Sequence, residues 1–187
     1  MSNILHLSDQ EYWNNYATEH IAKITQWLQE ESSYSSMKSF FLAYTKLDWS
    51  TQRSGSRGGW YKNHEGPGIS IAMWLVCGRT KSNDTEVPMK VFEYKSFSKN
   101  REIGNFYTND KHHHLLMHIC HEMAHAAQYM HKRHHKMGRI RPHGDEFKMF
   151  YREIRNYWLN PYLPDQIKTG KAYRKHKNMS ILQEFAA

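Results

Sequence analysis

The sequence of 187 residues contains few cysteines and no long apolar run. Cys77 and Cys120 alone cannot form a disulfide framework or a four-cysteine zinc site. No apolar segment approaches the ~18 residues that a membrane span needs, and the first nine residues lack the basic and apolar regions of a secretory signal. We therefore expect no membrane segment and a reducing, cytoplasmic location.

Hydrophobic residues make up 39% of the chain and aromatic residues 14%, which favours a folded protein over a disordered one. The length suits one domain with a sizeable core. Lysine and arginine outnumber aspartate and glutamate by 26 to 18, so the formal charge is +8. This excess favours encounter with polyanions such as DNA, but it also serves solubility, and charge alone does not decide between the two.

Three helices are predicted from capping residues and apolar periodicity. Ser8 to Glu11 form a capping box, and the apolar spacing behind it predicts a helix to about residue 30. Asp110 can cap a long helix that extends from about 111 to 131. Asp145 can cap a third helix, which we expect to stop near Asn160-Pro161 because proline does not continue a helix.

Aromatic and β-branched residues predict strands over about 41–49 and 87–97. Between them, Trp60-Tyr61 and 69–76 flank a glycine-rich turn at 65–68, which predicts a hairpin. The fold class is therefore α+β, with a small antiparallel sheet packed against helices. We expect one domain over residues 1–163 and a basic C-terminal tail over 164–187.

The most informative motif lies on the second predicted helix. His121, Glu122 and His125 form the HExxH pattern, in which histidines four residues apart can bind one ion from the same helix face. The glutamate lies beside them, where it can act as a general base towards water. His114 and His118 fall on the same narrow stripe of an otherwise apolar helix. The alternative interpretation is a solvent-facing histidine stripe without function.

A catalytic zinc needs a third protein ligand and an open coordination position. The candidates are the downstream histidines and glutamates, namely His131, His134, His135, His143, Glu146 and Glu153. His143 is the best placed, because Gly138 ends the helix before it. Pro142 stiffens the approach, and Gly144 leaves space beside the ion. Either glutamate would instead give a His-His-Glu ligand set.

The HExxH motif, followed by His143-Gly144-Asp145-Glu146-Phe147, resembles the SprT-like metallopeptidase family, which includes the Spartan proteases. That family pairs an HExxH helix with a His-Gly-x-x-Phe or His-Gly-x-x-Trp element that supplies the third ligand. The resemblance covers roughly residues 8 to 160 and includes three upstream segments, Leu47-Asp48-Trp49-Ser50, Gly59-Trp60-Tyr61 and Ile69-Ser70-Ile71. It implies a zincin-like active-site helix and hydrolysis of peptide bonds. It also implies Zn²⁺ bound by His121, His125 and His143, with Glu122 as the base.

Two features depart from the family pattern. Many members carry a C-terminal four-cysteine zinc ribbon, which this chain cannot build. The segment between His125 and His143 is also long and basic. The compact size is typical of a phage or bacterial version, which would lie near the nucleoid or in a phage-infected host cell.

The sequence therefore predicts a zinc-dependent metallopeptidase acting on protein or peptide substrates, with DNA-associated proteins as candidates. The alternative is a non-enzymatic nucleic-acid-binding module whose structural zinc is closed by a fourth ligand, His118 or Cys120. Metal-dependent hydrolysis of a substrate other than protein is a third interpretation. The donor that would stabilise an oxyanion stays open among His118, Tyr151 and Arg152.

A DNA contact is predicted where aromatic and basic residues interleave, at Arg53, Arg57, Trp60, Tyr61 and Lys62. Aromatic rings can stack on exposed bases while arginines contact phosphates. Ordinary packing of the hairpin is the alternative explanation. The basic segment 168–177 could likewise follow a nucleic-acid backbone or act only as a solubilising tail.

Overall fold

Two helices of 24 residues, α1 (Leu7–Glu30) and α2 (Lys111–His134), provide most of the core. The structure is a computed structural model that describes residues 7–52, 55–78, 89–92, 105–108 and 110–162. Arg53, the tail 164–187 and most of the predicted strand 87–97 therefore lie outside the described residues. The fold is α+β, as the sequence predicts.

Helix α1 buries the predicted stripe, because its apolar residues recur at helical spacing. Trp13, Ala17, Ile21, Ile24 and Leu28 are all buried. The helix begins at Leu7, so Ser8 lies within it and is not the N-cap that the predicted capping box requires; the side chain of Ser8 lies outside the described residues. The end of α1 leads into a short 3₁₀ turn, Ser35–Met37, whose Met37 is buried in the core.

Helix α2 begins where the sequence predicts, and its cap is confirmed. Asp110 has extended backbone angles, and its side chain accepts a hydrogen bond of 2.8 Å from the backbone N–H of His112. Most of the helix from Leu115 to Gln128 is buried, because apolar residues occur on most of its circumference. The metal motif therefore lies on the central element of the domain.

The third helix, α3 (Asp145–Ile154), has its N-cap one residue earlier than predicted. Gly144 occupies the capping position with extended backbone angles, and Asp145 is the exposed first helical residue. The helical path continues beyond Ile154 as a π-helical turn, Arg155–Leu159, and a 3₁₀ turn, Asn160–Tyr162. The predicted stop near Asn160-Pro161 is therefore not the end of α3, and the described helical path includes both residues.

The main sheet contains β1 (Tyr44–Asp48), β2 (Arg57–Tyr61) and β3 (Gly66–Ala72) in the order β1-β3-β2. Strands β2 and β3 form the predicted antiparallel hairpin, but β1 pairs with β3 in parallel. The prediction of an antiparallel sheet is therefore wrong for this pair. The chain reverses between β1 and β2 and again between β2 and β3, so β1 and β3 run in the same direction, with β1 on the edge of β3 opposite β2.

The hairpin turn is also displaced from the predicted position. A 3₁₀ turn, Lys62–His64, makes the connection, and Glu65 adopts the left-handed backbone with φ 54°. Gly66 and Gly68 instead lie in β3, where a side chain would collide with neighbouring residues. A Cβ on Gly66 would be 2.5 Å from Ala43 Cβ, and one on Gly68 would be 2.6 Å from the Tyr44 carbonyl oxygen. These glycines serve close packing and not the turn.

Beyond β3 the predicted strand 69–76 ends early, at Ala72. Residues Trp74–Gly78 form a π-helical turn, and the Lys111 ammonium donates a 2.7 Å hydrogen bond to the Cys77 carbonyl. A separate two-stranded antiparallel sheet pairs β4 (Met89–Phe92) with β5 (Asn105–Thr108). Strand β4 falls within the predicted strand, whereas β5 has no counterpart in the sequence predictions.

The main sheet packs against α2 at the HExxH motif. Gly58 of β2 lies so close to the helix that a Cβ there would be 2.2 Å from the Glu122 carbonyl oxygen and 2.9 Å from His125 Cβ. Only a residue without a side chain allows the strand and the helix to approach this closely. This contact fixes β2 across the two helical turns that carry the histidines.

Candidate metal centre

Three imidazoles from two parts of the chain converge on one point. His121 and His125 lie on successive turns of α2, and His143 lies in the loop before α3. His143 Nε2 is 3.1 Å from His121 Nε2 and 3.1 Å from His125 Nε2. Each residue offers a ligand atom, and these atoms lie within 4.8 Å of one another. The structure thus brings together the three histidines that the sequence predicts.

Hydrogen bonds between the rings do not account for this arrangement. A neutral imidazole carries one ring proton, so His143 Nε2 cannot form good hydrogen bonds to two other ring nitrogens at once. Burial, and then the nearby His143, lower the pKa of His125 to about 4, so a charged ring is disfavoured there. Three nitrogens about 2.0–2.1 Å from a tetrahedral zinc lie about 3.3–3.4 Å apart. The observed spacing of 3.1 Å therefore fits three nitrogen ligands of one cation.

The loop before α3 presents His143 in an uncommon backbone conformation. His143 has φ 59°, in the left-handed region that side chains other than glycine seldom occupy. Gly144 follows, and a Cβ there would lie 3.0 Å from the Arg141 carbonyl oxygen. Such a conformation costs on the order of 1–3 kcal/mol and persists only where surrounding contacts impose it. The tight turn directs His143 back towards α2.

The other candidate third ligands have different partners. Glu153 accepts three hydrogen bonds from the loop after α1, from Ser32 Oγ at 3.0 Å, Ser33 N at 2.8 Å and Ser33 Oγ at 3.0 Å. Glu146 pairs with Lys132 at 3.2 Å. Of the histidines, His131 contacts Ser36 Oγ at 2.7 Å, while His134 and His135 are exposed. The His-His-Glu alternatives are therefore not assembled in this structure.

Phe147 forms an apolar wall beside all three histidines. Its ring centroid lies 4.3 Å from that of His125, 4.8 Å from that of His143 and 5.0 Å from that of His121. Tyr151 stacks beneath it at 5.5 Å and also contacts His121 at 5.6 Å. Both aromatic side chains are fully buried. The i, i+4 spacing of these two residues on α3 is the sequence signal for this wall, but its contact with the ligands could not be derived from that spacing alone.

Glu122 directly follows His121 on α2 and is only 5% exposed. A buried carboxylate beside a cluster of imidazoles is suited to exchange protons with a molecule bound there. Of the three suggested oxyanion donors, Tyr151 is fully buried beside His121 and Arg152 is exposed. The structure therefore does not single out an oxyanion donor.

His114 and His118 form a separate pair one to two turns before the motif. Their Nε2 atoms are 3.3 Å apart. Burial lowers the pKa of His114 to about 4, and burial followed by the His114 charge lowers that of His118 to about 3. Both rings are thus neutral at pH 7. Among the described residues, the group that could hold a metal ion contains only the three histidines, and it includes neither His118 nor the buried Cys120.

The predicted nucleic-acid residues of the hairpin already pack against one another. The guanidinium carbon of Arg133 lies 4.4 Å from the centroid of the Trp60 ring, and that of Arg57 lies 5.9 Å from the Tyr61 centroid. Tyr61 also contacts Tyr44, with ring centroids 4.6 Å apart. The aromatic residues are half-buried and pack within the protein, and a contact with DNA stays a prediction.

Comparisons with models of protein families, with curated proteins and with solved structures give no significant match. Among the described residues, no helix is long and apolar enough to span a membrane. The geometry of the site itself defines a group of three histidines that could bind a metal ion.

Proposed function

We propose that this protein is a zinc-dependent metallopeptidase of the SprT-like kind. The observation that supports it most is the convergence of His121, His125 and His143, with Glu122 buried beside them on the same helix. Three nitrogen ligands are the set typical of a catalytic zinc, which keeps one position open, whereas structural sites are usually closed by four protein ligands. The three-histidine group therefore favours an enzyme over a module with a structural zinc.

The residues of the site divide the chemistry between them. When bound, zinc supplies a Lewis acid that polarises the scissile carbonyl. Glu122 takes a proton from the attacking water and returns it to the leaving amine, which avoids expulsion of an amide anion. Phe147 covers one side of the imidazoles and excludes water there, which strengthens electrostatic interactions within the site. The histidines themselves orient and hold the metal.

DNA-associated proteins are the proposed substrates. The loop that carries His143 exposes several cations, namely Lys136, Arg139 and Arg141, and Arg133 is exposed at the end of α2. Cations in such a loop could contact phosphates and bring a DNA-bound protein to the metal centre. The net charge of +8 also favours an encounter with DNA.

Glu122→Gln tests the proposed reaction. We expect the full-length protein loaded with zinc to cleave unfolded protein slowly, and the variant to lose at least about 100-fold in rate because the general base is gone. Assays with and without single-stranded DNA test activation by DNA. Zinc content should be unchanged, since Glu122 is not a ligand. Glu11→Gln, which neutralises an exposed carboxylate on α1, is the matched control.

Equal cleavage by the wild type and Glu122→Gln would contradict the mechanism. The ligand assignment has its own control: His143→Ala should lose zinc on dialysis, whereas His134→Ala, an exposed histidine nearby, should retain it.

A further inference from the structure

The third ligand depends on a loop that leaves α2 and returns to it, and two buried side chains of α2 hold that loop. Gln128 Nε2 donates a 3.0 Å hydrogen bond to the Arg141 carbonyl. Lys132 Nζ donates a 3.0 Å hydrogen bond to the Arg139 carbonyl. Gln128 is fully buried and Lys132 is 7% exposed. They follow His125 by three and seven residues, on the same side of the helix.

Lys132 is an unusual residue to bury. A buried ammonium is costly unless it is paired and hydrogen-bonded. Here it also meets Glu146 at 3.2 Å. The backbone N–H of Glu146 donates a hydrogen bond to the carboxyl group of the same residue, which lowers the pKa of Glu146 below its usual value. The Lys132 ammonium lowers this pKa further. Glu146 lies on the first turn of α3, so Lys132 links α2 to both the loop and the next helix.

Gln128 has a second polar side-chain atom, and the residue lies about one helical turn after His125. Its Oε1 is buried and has no hydrogen-bond partner among the described residues. A histidine that binds a metal through Nε2 carries its proton on Nδ1 and needs an acceptor for it. The amide oxygen of Gln128 is suited to that role.

We infer that Gln128 and Lys132 are positioning residues for the metal centre. One amide group joins two ligands: its oxygen orients His125, and its nitrogen holds the loop that presents His143. Lys132 holds the same loop two residues earlier and ties it to α3 through Glu146. This inference rests on the metal site of the proposed function, but it does not require that the protein hydrolyse peptides.

The test is zinc affinity, measured on the full-length protein by competition with a chromophoric chelator. We expect Gln128→Met to weaken zinc binding about 10–100-fold, which is the usual effect of removing an outer-shell partner. Gln128→Glu keeps an acceptor for His125 Nδ1 but loses the donor to the Arg141 carbonyl, so its affinity should be intermediate. Lys132→Met should weaken binding through the loop alone.

Gln29→Met is the matched control, because Gln29 Nε2 also donates to a backbone carbonyl, that of Phe40, at a site remote from the histidines. It should lower stability without changing zinc affinity. The absorption spectrum of bound Co²⁺ gives a second readout, because a displaced ligand alters the metal geometry while simple loss of stability does not.

Zinc affinity within twofold of the wild type in Gln128→Met, or an equal loss in Gln29→Met, would overturn the inference. A wild type without zinc affinity would refute both this inference and the proposed function. A wild type that binds zinc with the expected pattern, yet cleaves no protein, would refute only the peptidase.

Discussion

The close contact between β2 and α2 can be tested by substituting two neighbouring glycines of β2, Gly58 and Gly59. In Gly58→Ala the new methyl group would lie 2.2 Å from the Glu122 carbonyl oxygen, whereas ordinary van der Waals contact begins at 3.4 Å. The obstacle is helix backbone, which cannot rotate away. The strand would therefore have to withdraw by the difference, about 1.2 Å.

The expected change in the free energy of unfolding results from two opposing effects. Overpacking of this kind usually costs about 1–3 kcal/mol, and we expect the upper part of that range because the contact is with backbone. Gly59→Ala is the matched control: its Cβ would meet only the Tyr129 ring at 3.6 Å. Alanine restricts the unfolded chain at either position, which stabilises by about 0.4–1 kcal/mol where the site tolerates it. The two variants should therefore differ by at least about 2 kcal/mol.

Urea unfolding of the metal-free protein measures this difference directly, and zinc competition measures its effect on the site. Gly58→Ala should also bind zinc more weakly, because the displaced contact includes Cβ of His125. Equal stability of the two alanine variants would refute the reasoning, since it would mean that β2 does not press against α2 at Gly58.

Acid should destabilise the metal-free protein between about pH 6.5 and 4. Burial lowers the pKa of His114 to about 4 in the folded chain. In this pH range the unfolded chain therefore binds a proton at His114 that the folded chain does not bind, which favours unfolding. That difference amounts to about 3 kcal/mol at most, and urea titrations at several pH values should show a smaller acid loss in His114→Gln. Asp110→Ala should cost about 1 kcal/mol in the same assay through loss of the α2 cap. Binding to single-stranded DNA should weaken steeply with salt, and a flat dependence in filter-binding titrations would leave the charge as a solubility feature.

The features that sequence predicts well here are local ones. Asp110 caps α2 through a backbone donor two residues away, and the apolar periodicity of α1 decides which face is buried. Both depend on residues within a few positions of one another. The HExxH pair is similarly local, because helical geometry alone brings His121 and His125 to one side of α2.

The features that sequence misjudges depend on distant neighbours. Gly66 and Gly68 have the composition of a turn, but their role is set by distant parts of the chain, Gly66 by Ala43 just before β1 and Gly68 by Tyr44 of β1. Asp145 has the chemistry of an N-cap, yet Gly144 takes that position because the chain arrives from His143 in a left-handed conformation. The order of the sheet depends in the same way on a distant contact, the pairing of β1 with β3.

His121 and His125 lie on a helix, and His143 lies on a loop that is hydrogen-bonded to that helix. The three imidazoles are therefore arranged like the arms of a chelator before any ion binds. Two arms on α2 would bind zinc weakly by themselves, and the third acts at an effective concentration set by how tightly the loop is held. By linkage, the free energy gained from the third arm also stabilises the contact between α2 and α3. Metal removal should therefore loosen α3 before α1, and hydrogen exchange along the two helices would report how much of the domain the ion holds together.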